Sequence, residues 1–254
     1  MSTTAGPRQG NGHTGYSDAD LRELGEWRNH ARVMLQPVAA PSVLGLFGFA
    51  AATFAVTANL VGWFGNASSP LLLFPFTTAT GGIAQGVAAL WAYRARDTLA
   101  TAIHGMWGAF WLAYGVLQLL IAVHVLPAAP AHAAVPPLAY WFFTLSAVTL
   151  IGALASLAES LSITLVLSLL GAGSAFLGVF YTVGGTTWQD IAGYVTMGAA
   201  VAAFYTGSAM LLASAWGRTV LPLGKYSREA NVPGGHAVYP IQFAAGEPGV
   251  RRGQ

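Results

Sequence analysis

The chain has 254 residues, of which 55% are apolar and only 8% are charged, and its mean hydropathy is +0.57. Soluble domains carry about 25% charged residues, so this composition excludes an ordinary soluble domain and indicates a membrane protein. The chain contains no cysteine, which excludes disulfides and thiolate chemistry.

Polar segments lie at both ends of the chain. Residues 1–38 are charged and rich in glycine, and they lack the three-part pattern of a cleavable signal peptide. The first apolar run is therefore expected to stay in the protein as a membrane anchor. Residues 219–254 are also polar and contain four prolines. We predict two flexible cytoplasmic tails around one transmembrane domain at 39–218.

Six apolar runs lie between these tails. A hydrocarbon core of ~30 Å is crossed by about 20 helical residues, and each run is long enough. None of them contains Lys, Arg or Asp, and turn-forming stretches such as "GNASSP" and "LPAAPAHAAVPP" separate them. The sequence therefore predicts an all-α, polytopic bundle of six transmembrane helices. The predicted spans are Ser42–Phe64, Leu71–Tyr93, Thr101–Val125, Pro137–Leu157, Leu161–Tyr181 and Ile191–Trp216.

The basic residues predict the orientation of this bundle. With six spans, the two tails and the loops after the second and fourth helices share one side of the membrane. All eleven Lys and Arg residues lie on that side. They are Arg8, Arg22, Arg28, Arg32, Arg94, Arg96, Arg218, Lys225, Arg228, Arg251 and Arg252. Because basic loops stay in the cytoplasm, both termini are expected there.

Small residues recur at a spacing of four in most of the helices. Gly82 and Gly86 form a GxxxG motif in the second helix, and Gly48 with Ala52 repeats the spacing in the first. Small residues let membrane helices approach closely, because burial of apolar surface does not drive association in lipid. This pattern indicates a tightly packed bundle.

A few polar residues interrupt the apolar spans. Thr57 and Asn59 lie near the outer end of the first helix, and Gln85 lies in the middle of the second. Ser42 and Thr101 are candidate N-terminal caps. Each of these polar groups is expected to form an interhelical hydrogen bond, because an unpaired polar group in lipid is costly. The Gln85 amide, which lies between two glycines, would suit a conduit equally well.

No pattern of residues indicates catalysis or metal binding. His104 and His124 lie about 30 Å apart on one helix, so they cannot share a metal, and they are interpreted as core or interfacial residues. Glu159 is expected as a solvated charge at the cytoplasmic rim, and Asp190 as an acid just before the sixth helix. The sequence predicts neither an enzyme nor a cofactor, a metal or a nucleic-acid partner.

Four stretches, in order along the chain, carry motifs of a known family. In the first helix, "APSVLGLFGF" is similar to "NPAPLGLxGF", and "GGIAQ" in the second helix matches a family segment. In the third, "HGMWGAFW" is similar to "SYGSFW", and "WGRTVLPLG" closely matches the segment that follows the sixth. Residues 39–225 therefore resemble the acetate uptake transporter family, also called the succinate–acetate permease or YaaH-type family.

The resemblance implies a homohexamer in which each protomer has its own pathway for acetate and related small carboxylates. The family is described both as proton-coupled symporters and as anion channels. An apolar constriction of Phe, Tyr and Leu is implied at Phe49, Trp107 and Leu169, and a pathway glutamine at Gln85.

Several positions depart from the family pattern. The Asn and the second Pro of the first motif are Ala40 and Val43 here. The polar pair later in the first helix is replaced by Thr57 and Asn59, and Trp107 stands where the family has Tyr. These changes affect the expected substrate more than the expected fold.

Residues and resemblance together predict a multi-pass transporter or channel of the cell membrane for acetate and related monocarboxylates, with succinate as a further candidate. Asn59 and Thr57 would offer hydrogen bonds in an outer vestibule, and Ser42 would bind a carboxylate at a helix N-terminus. Because no Asp, Glu, Lys or Arg lies mid-membrane, we expect passive permeation or a proton carried on the substrate itself. A urea or short-amide channel and a membrane scaffold or signalling protein are the alternatives.

Overall fold

The computed structural model describes residues 39–66 and 68–225, all of which belong to the larger of the two units into which the chain divides. Six of its helices are long and apolar enough to cross a membrane, so the predicted all-α bundle with six spans is confirmed. The helices are α1 (Pro41–Leu60), α2 (Ser69–Arg94), α3 (Thr98–Ala122), α4 (Pro136–Ser156), α5 (Leu161–Val183) and α6 (Thr186–Trp216).

At two places, glycines determine where a helix ends and the chain turns. The first span was expected to reach Phe64, but α1 ends at Leu60, because Gly62 and Gly65 follow with φ values of 75° and 91°. Only glycine adopts such angles at little cost. The α5–α6 turn likewise depends on two glycines at positive φ, and α6 begins five residues before the predicted start. Asp190 therefore lies within α6, and the prediction that it precedes the sixth helix is wrong.

The helices form a ring in which each packs against its neighbours. Around this ring, α4 packs on α5, α5 on α6, α6 on α1, α1 on α2 and α2 on α3, and α3 closes the ring against α4. The core holds a large buried cluster of apolar side chains drawn from most of the helices. The functional site described below lies where α1 and α3 face each other.

The predicted small-residue contacts occur between α1, α2 and α3. A Cβ atom added to Gly48 of α1 would lie 2.4 Å from the carbonyl oxygen of Thr80 in α2. A Cβ added to Gly108 of α3 would lie 3.1 Å from the backbone nitrogen of Gly86 and 3.3 Å from the carbonyl oxygen of Gly82. A larger residue at Gly48 would force the backbones apart, and Gly108 leaves room only for close packing, in agreement with the role of small residues in membrane helix packing.

Hydrogen bonds between distant segments identify the two ends of the bundle. At one end, the Leu161 N–H, at the start of α5, donates to the Gly224 carbonyl at 3.1 Å, beyond the end of α6. We call this the termini end, because α1 also begins there. At the opposite, distal end, the side-chain amide of Gln189 in α6 donates to the carbonyl of Leu60, where α1 ends, at 2.6 Å.

The segment after α6 packs against the bundle up to residue 225, the last residue that the structure describes. Besides Leu161, the Ser162 N–H donates to the Leu223 carbonyl at 3.1 Å, so two of the free N–H groups that begin α5 are paired. Leu223 is buried in the core cluster. The predicted tail at 219–254 therefore has its first seven residues on the bundle, while 226–254 and 1–38 lie outside the described residues.

Candidate functional site

A cavity of about 190 Å³ lies in the distal half of the bundle. It is bounded by the distal halves of α1, α4, α5 and α6 and by α3 from its middle onward. Its lining is mostly aromatic and aliphatic, with a few hydroxyl and amide groups, and none of the described residues that line it is charged. The polar and aromatic members are Thr53, Thr57, Trp107, Phe110, Trp111, Tyr114, Gln118, Trp141, Phe142, Tyr181 and Thr196.

Three of these residues are buried and carry a polar atom without a partner among the described residues. The atoms are the hydroxyl oxygens of Thr53 and Thr196 and the indole nitrogen of Trp111. The side chains of these residues are only 2%, 4% and 3% exposed, respectively. A buried polar atom without a partner costs about 1–3 kcal/mol. All three residues line the cavity, while the Thr196 hydroxyl packs against Gly173 of α5 and the Trp111 ring against Gly81 of α2.

An aromatic pair lies at the inner end of the cavity. The rings of Phe49 in α1 and Trp107 in α3 meet edge to face with centroids 6.1 Å apart, and each side chain is 3% exposed. The indole N–H of Trp107 donates to the Thr149 hydroxyl at 3.0 Å, and that hydroxyl donates to the Leu145 carbonyl at 2.7 Å. These bonds fix the orientation of the indole. The two rings form the apolar boundary of the cavity at its inner end.

A buried amide and a buried imidazole lie beyond this aromatic pair. The Gln85 side-chain N–H donates to the Gly81 carbonyl at 2.9 Å, and its Oε1 lies 3.2 Å from Nδ1 of His104. Both side chains are buried, with exposures of 1% and 5%. The ring of His104 lies directly over Gly45, where an added Cβ would come within 2.4 Å of it.

Helical spacing arranges these groups in one row. Residues four apart lie on the same face of a helix, about 6 Å apart along its axis. From the distal end toward the termini end, the row on α1 is Thr57, Thr53, Phe49 and Gly45. The facing row on α3 is Tyr114, Trp111, Trp107 and His104. Along this row, residues with unpaired donors are followed by the aromatic pair and then by the buried imidazole.

The predicted site residues fall in several places. Thr57 lines the cavity, although its hydroxyl already donates to the Thr53 carbonyl at 2.7 Å. Trp107 also lines it, with Phe49 against it. The side chain of Asn59 instead donates to the Phe64 carbonyl at 3.0 Å and holds the α1–α2 turn. Asn59 is therefore a turn residue in this structure.

Leu169 is partly buried and packs against the cluster that contains Phe49 and Trp107. Leu169 lines a separate apolar groove between α5 and α6, together with Leu165 and Tyr205. Its neighbour Leu170 is 1% exposed and belongs to the same buried cluster as Phe49 and Trp107. The two leucines point to different sides of α5, which is the expected result for adjacent helical residues.

The two predicted caps are wrong. Helix α1 begins at Pro41, so Ala40 holds the cap position and Ser42 lies inside the first turn. In α3 the cap is Asp97, whose carboxylate accepts the Ala100 N–H at 2.9 Å. The apolar run alone did not show that α3 begins three residues earlier than Thr101, at the Asp-Thr pair.

Sequence reasoning missed the donors at Thr53, Trp111 and Thr196 and the contact between Gln85 and His104. The spacing of four residues between Phe49, Thr53 and Thr57 was the available signal. For α3 and α6 no such signal exists, because only the tertiary structure shows which face of each helix borders the cavity.

Two acidic residues lie close together at the termini end, outside the membrane-spanning helices. Burial, followed by the negative charge of the nearby Asp97, raises the pKa of Glu159 to about 7, and Lys225 opposes the shift. Burial also raises the pKa of Asp97, although its backbone hydrogen bonds at the start of α3 act in the other direction. Glu159 is partly buried, so its carboxylate is less solvated than the sequence suggested.

Metal binding finds no support in this part of the chain. Among the residues that the structure describes, no three His, Cys, Asp or Glu side chains come together. The polar groups of the row are hydroxyls, two indoles and one imidazole, and the Gln85 amide lies beside the imidazole. These groups suit hydrogen bonding to a small solute.

Comparison with known proteins agrees with this architecture. The model of the GPR1/FUN34/yaaH family matches residues 26–223. The succinate-acetate/proton symporter SatP of Escherichia coli K12 is 29% identical over 191 residues, covering 74% of this chain and 96% of the symporter. An uncharacterized protein of Methanothermobacter thermautotrophicus is 29% identical over 193 residues, covering 75% of this chain and 93% of that protein. The solved structure of the bacterial acetate channel SatP superposes with a TM-score of 0.67 at 26% identity, covering 74% of this chain and all of that one.

Six apolar helices around an uncharged cavity define a multi-pass membrane protein of the transport class. The similar proteins with a named activity are a symporter and a channel, so the chain is placed among transport proteins rather than enzymes. The chain belongs to the GPR1/FUN34/yaaH family, as the family resemblance predicted.

Proposed function

We propose that the protein moves acetate and related short monocarboxylates across the cell membrane, through a pathway in each protomer. The observation that carries this proposal is the cavity with three unpaired buried donors, at Thr53, Trp111 and Thr196. The named relatives, a succinate-acetate/proton symporter and an acetate channel, support the same substrate class.

The chemistry of the cavity fits a small carboxylate. A carboxylate has two oxygens that only accept hydrogen bonds, and a hydroxyl or an indole N–H can donate to them. The apolar walls, which include Phe110 and Phe142, would contact the methyl group of acetate. The volume of about 190 Å³ is far more than a single water needs, which is ~10–15 Å³. A small acid can therefore occupy the cavity with some of its water.

Beyond the cavity, Phe49 and Trp107 act as the gate. An apolar constriction excludes hydrated ions because water does not wet it, and a solute passes only after shedding most of its water. On the other side of the gate the Gln85 amide lies near the path. The sequence comparison also implied Leu169 in this constriction, and the position of Leu170 in the buried cluster makes it the leucine of α5 that we assign to the gate.

The termini end is the exit to the cytoplasm in this proposal. Arg94, Arg96 and Arg218 lie at that end, and basic loops are retained on the cytoplasmic side. Their positive charge attracts carboxylates over about 8–10 Å at physiological salt. Both chain termini are then cytoplasmic, and the assembly is a homohexamer with six parallel pathways. Succinate is a second, larger substrate.

Flux into proteoliposomes tests the proposed function. The full-length protein should take up labelled acetate faster than protein-free vesicles, and Thr53→Val should reduce this uptake because it removes a donor while keeping the side-chain shape. Thr144→Val is the matched control, since Thr144 is exposed on α4 and its hydroxyl bonds its own helix at 3.0 Å. Uptake no faster than in protein-free vesicles would reject the proposal.

A channel for urea or short amides is the second candidate. The uncharged lining of the cavity favours it, because hydroxyl and amide groups suit a neutral solute as well as an anion. The same vesicles measured with labelled urea decide between the two. Rapid urea uptake without acetate uptake would establish the amide channel.

A further inference from the structure

One side chain at the distal end connects two segments that are distant in sequence. The side-chain amide of Gln189, in the first turn of α6, donates to the Leu60 carbonyl, where α1 ends, at 2.6 Å. Its Oε1 lies 2.7 Å from Nδ1 of His132, in the loop between α3 and α4. Because a carbonyl only accepts, the amide nitrogen faces Leu60, and Oε1 accepts a hydrogen bond from Nδ1–H of His132. Gln189 therefore joins the end of α1 to the α3–α4 loop.

The α3–α4 loop is also held by the end of α5 and the α5–α6 turn. The Gly185 N–H donates to the His132 carbonyl at 2.9 Å. The Val135 N–H donates to the Tyr181 carbonyl at 2.7 Å. His132 itself has a φ of 58°, which few residues other than Gly, Asn, Asp and His adopt. The loop backbone is thus fixed at His132, and its ring reaches Gln189 from a fixed position.

These bonded segments lie at the distal rim of the cavity. Leu60 and Tyr181, whose carbonyls accept two of the bonds, both line the cavity, and so does Leu138, just after the loop. We call the opening between Leu60 and the α3–α4 loop the distal mouth. Among the described helices, the backbone of α1 packs on neither α4 nor α5. The width of the mouth therefore depends on the groups that bridge it, and Gln189 bridges it with two hydrogen bonds.

The Gln189 amide is suited to hold this width constant. The resonance that keeps a peptide bond planar also keeps a side-chain amide planar, so its donor and acceptor have a fixed geometry. The Leu60 carbonyl is one of the last four of α1, which have no partner within their own helix. The bond from Gln189 satisfies this carbonyl and at the same time fixes the end of α1 relative to His132.

We propose that Gln189 and His132 form a brace that sets the width of the distal mouth and thereby the size of the acid that enters. This inference rests on the proposed function for its substrate class, and it adds a size filter that is separate from the aromatic pair. Acetate passes the mouth with the brace intact, whereas a longer acid enters only when the two hydrogen bonds break. Gln189 is thus a positioning residue, which acts through Leu60 and the loop.

The ratio of butyrate to acetate uptake into proteoliposomes tests the size filter. Gln189→Met keeps the length of the side chain but removes both hydrogen bonds, so the ratio should rise severalfold. Both acids carry one carboxylate, so an effect of charge changes both uptake rates alike and cancels in the ratio. Thr187→Val, at an exposed position of the same turn of α6, is the matched control and should keep the wild-type ratio. If Gln189 only supports folding, both rates fall and the ratio stays unchanged, which would overturn the proposal.

Two variants of His132 test the hydrogen bond itself. Asn can place an amide nitrogen where His132 has Nδ1, and it tolerates the φ of 58°, so His132→Asn should retain the wild-type ratio. His132→Asp has the same shape and tolerates the same angle, but a carboxylate cannot donate to Oε1 of Gln189. Its ratio should therefore rise as in Gln189→Met. Equal ratios for the two His132 variants would contradict the brace.

A distance measurement tests the brace without any transport. The chain contains no cysteine, so spin labels can be attached at two chosen positions alone. Phe64→Cys in the α1–α2 turn and Ala131→Cys in the α3–α4 loop are exposed positions on opposite sides of the mouth. In full-length protein in lipid nanodiscs, Gln189→Met should broaden the distribution of distances between the labels.

The two measurements separate the brace from the proposed function. An unchanged distance distribution in Gln189→Met would overturn the brace, whatever the protein transports. Absence of acetate uptake by the wild-type protein would instead refute the proposed function, and the size filter with it. A broader distribution together with a higher ratio of butyrate to acetate uptake would establish both parts of the inference.

Discussion

At the scale of single residues, several buried hydroxyls among the described residues bond to their own helix. Thr57 donates to the Thr53 carbonyl at 2.7 Å, Ser174 to the Leu170 carbonyl at 2.7 Å and Thr149 to the Leu145 carbonyl at 2.7 Å. Such bonds satisfy a polar side chain within an apolar membrane. The hydroxyl of Thr53, which lines the cavity, departs from this pattern. This one unpaired hydroxyl therefore says more about the position of a binding site than the number of polar residues does.

The first prediction concerns the gate. Phe49→Ala should raise the ratio of succinate to acetate flux per folded protomer, because the apolar pair loses one ring and the opening widens. If Phe49 only packs in the core, the change would cost about 3–5 kcal/mol and lower the yield of folded protein without altering selectivity. Phe54→Ala is the control, since Phe54 lies on the exposed face of α1. An unchanged flux ratio for Phe49→Ala would contradict the gate.

At the scale of helices, α2 is irregular where it meets its neighbours. Residues Thr78–Ala84 form a π-helical stretch that follows Pro75 and ends immediately before Gln85. Such stretches are rare in proteins, and many of those that occur lie at functional sites. Here the stretch contains Thr80, whose carbonyl contacts α1 at Gly48, and Gly81, whose carbonyl accepts the Gln85 amide. It therefore determines both the approach of α1 and the orientation of the amide that faces His104.

The second prediction concerns this contact. Gly48→Ala should destabilise the bundle, because the new methyl group would lie 2.4 Å from the Thr80 carbonyl oxygen and force α1 and α2 apart. Gly86→Ala is the matched control, since a Cβ there meets nothing within 4 Å and alanine favours helix by ~1 kcal/mol. Thermal unfolding in detergent should show a lower midpoint for Gly48→Ala alone. Equal midpoints for the two variants would show that the helices are not in close contact at Gly48.

At the scale of the whole molecule, the termini end combines elements that are distant in sequence. The segment after α6 pairs with the start of α5, and the Tyr205 hydroxyl donates to the Pro222 carbonyl at 2.7 Å. Glu159, Asp97 and Lys225 interact at this end. The packing there therefore depends on the charge of Glu159.

The third prediction concerns pH. Because the pKa of Glu159 rises from 4.5 to about 7 on folding, the folded state holds a proton that the unfolded state has lost between these values. Stability from this group is therefore present below pH 4.5 and is lost as the pH rises through about 7. At pH values above 7, Glu159→Gln should raise the temperature midpoint of unfolding. It should also flatten the dependence of that midpoint on pH. Asp190→Asn, at an exposed position of α6, is the control; a slope unchanged by Glu159→Gln would refute the assignment.

The fourth prediction concerns assembly. We expect a homohexamer, since the family resemblance implies one and the outer faces of the helices carry large apolar side chains such as Phe76, Tyr140 and Leu154. Mass determination in lipid nanodiscs should give six copies of the 26.4 kDa chain. Only monomers under these conditions would contradict the prediction.

Much of this architecture follows from the sequence by itself. The number and type of the helices could be predicted, because each needs about 20 apolar residues and the polar breaks are clear. The glycines of close contact were also visible, since a repeat of four places small residues on one helix face. The motif match located Phe49, Trp107 and Gln85, and the structure brings the first two together edge to face.

The remainder was decided by tertiary structure. Apolar periodicity does not show which face of a membrane helix points inward, because lipid and protein interior are equally apolar, so Leu169 and Leu170 could not be told apart. Nor could it show that Asn59 holds a turn while Thr53 faces a cavity, since both are single polar residues near one helix end. The contact between His104 and the Gln85 amide is likewise visible only in the tertiary structure, because it depends on how α2 packs against α3. Helix formation is local and can be predicted from sequence, whereas the partner of a buried polar group depends on how distant helices pack.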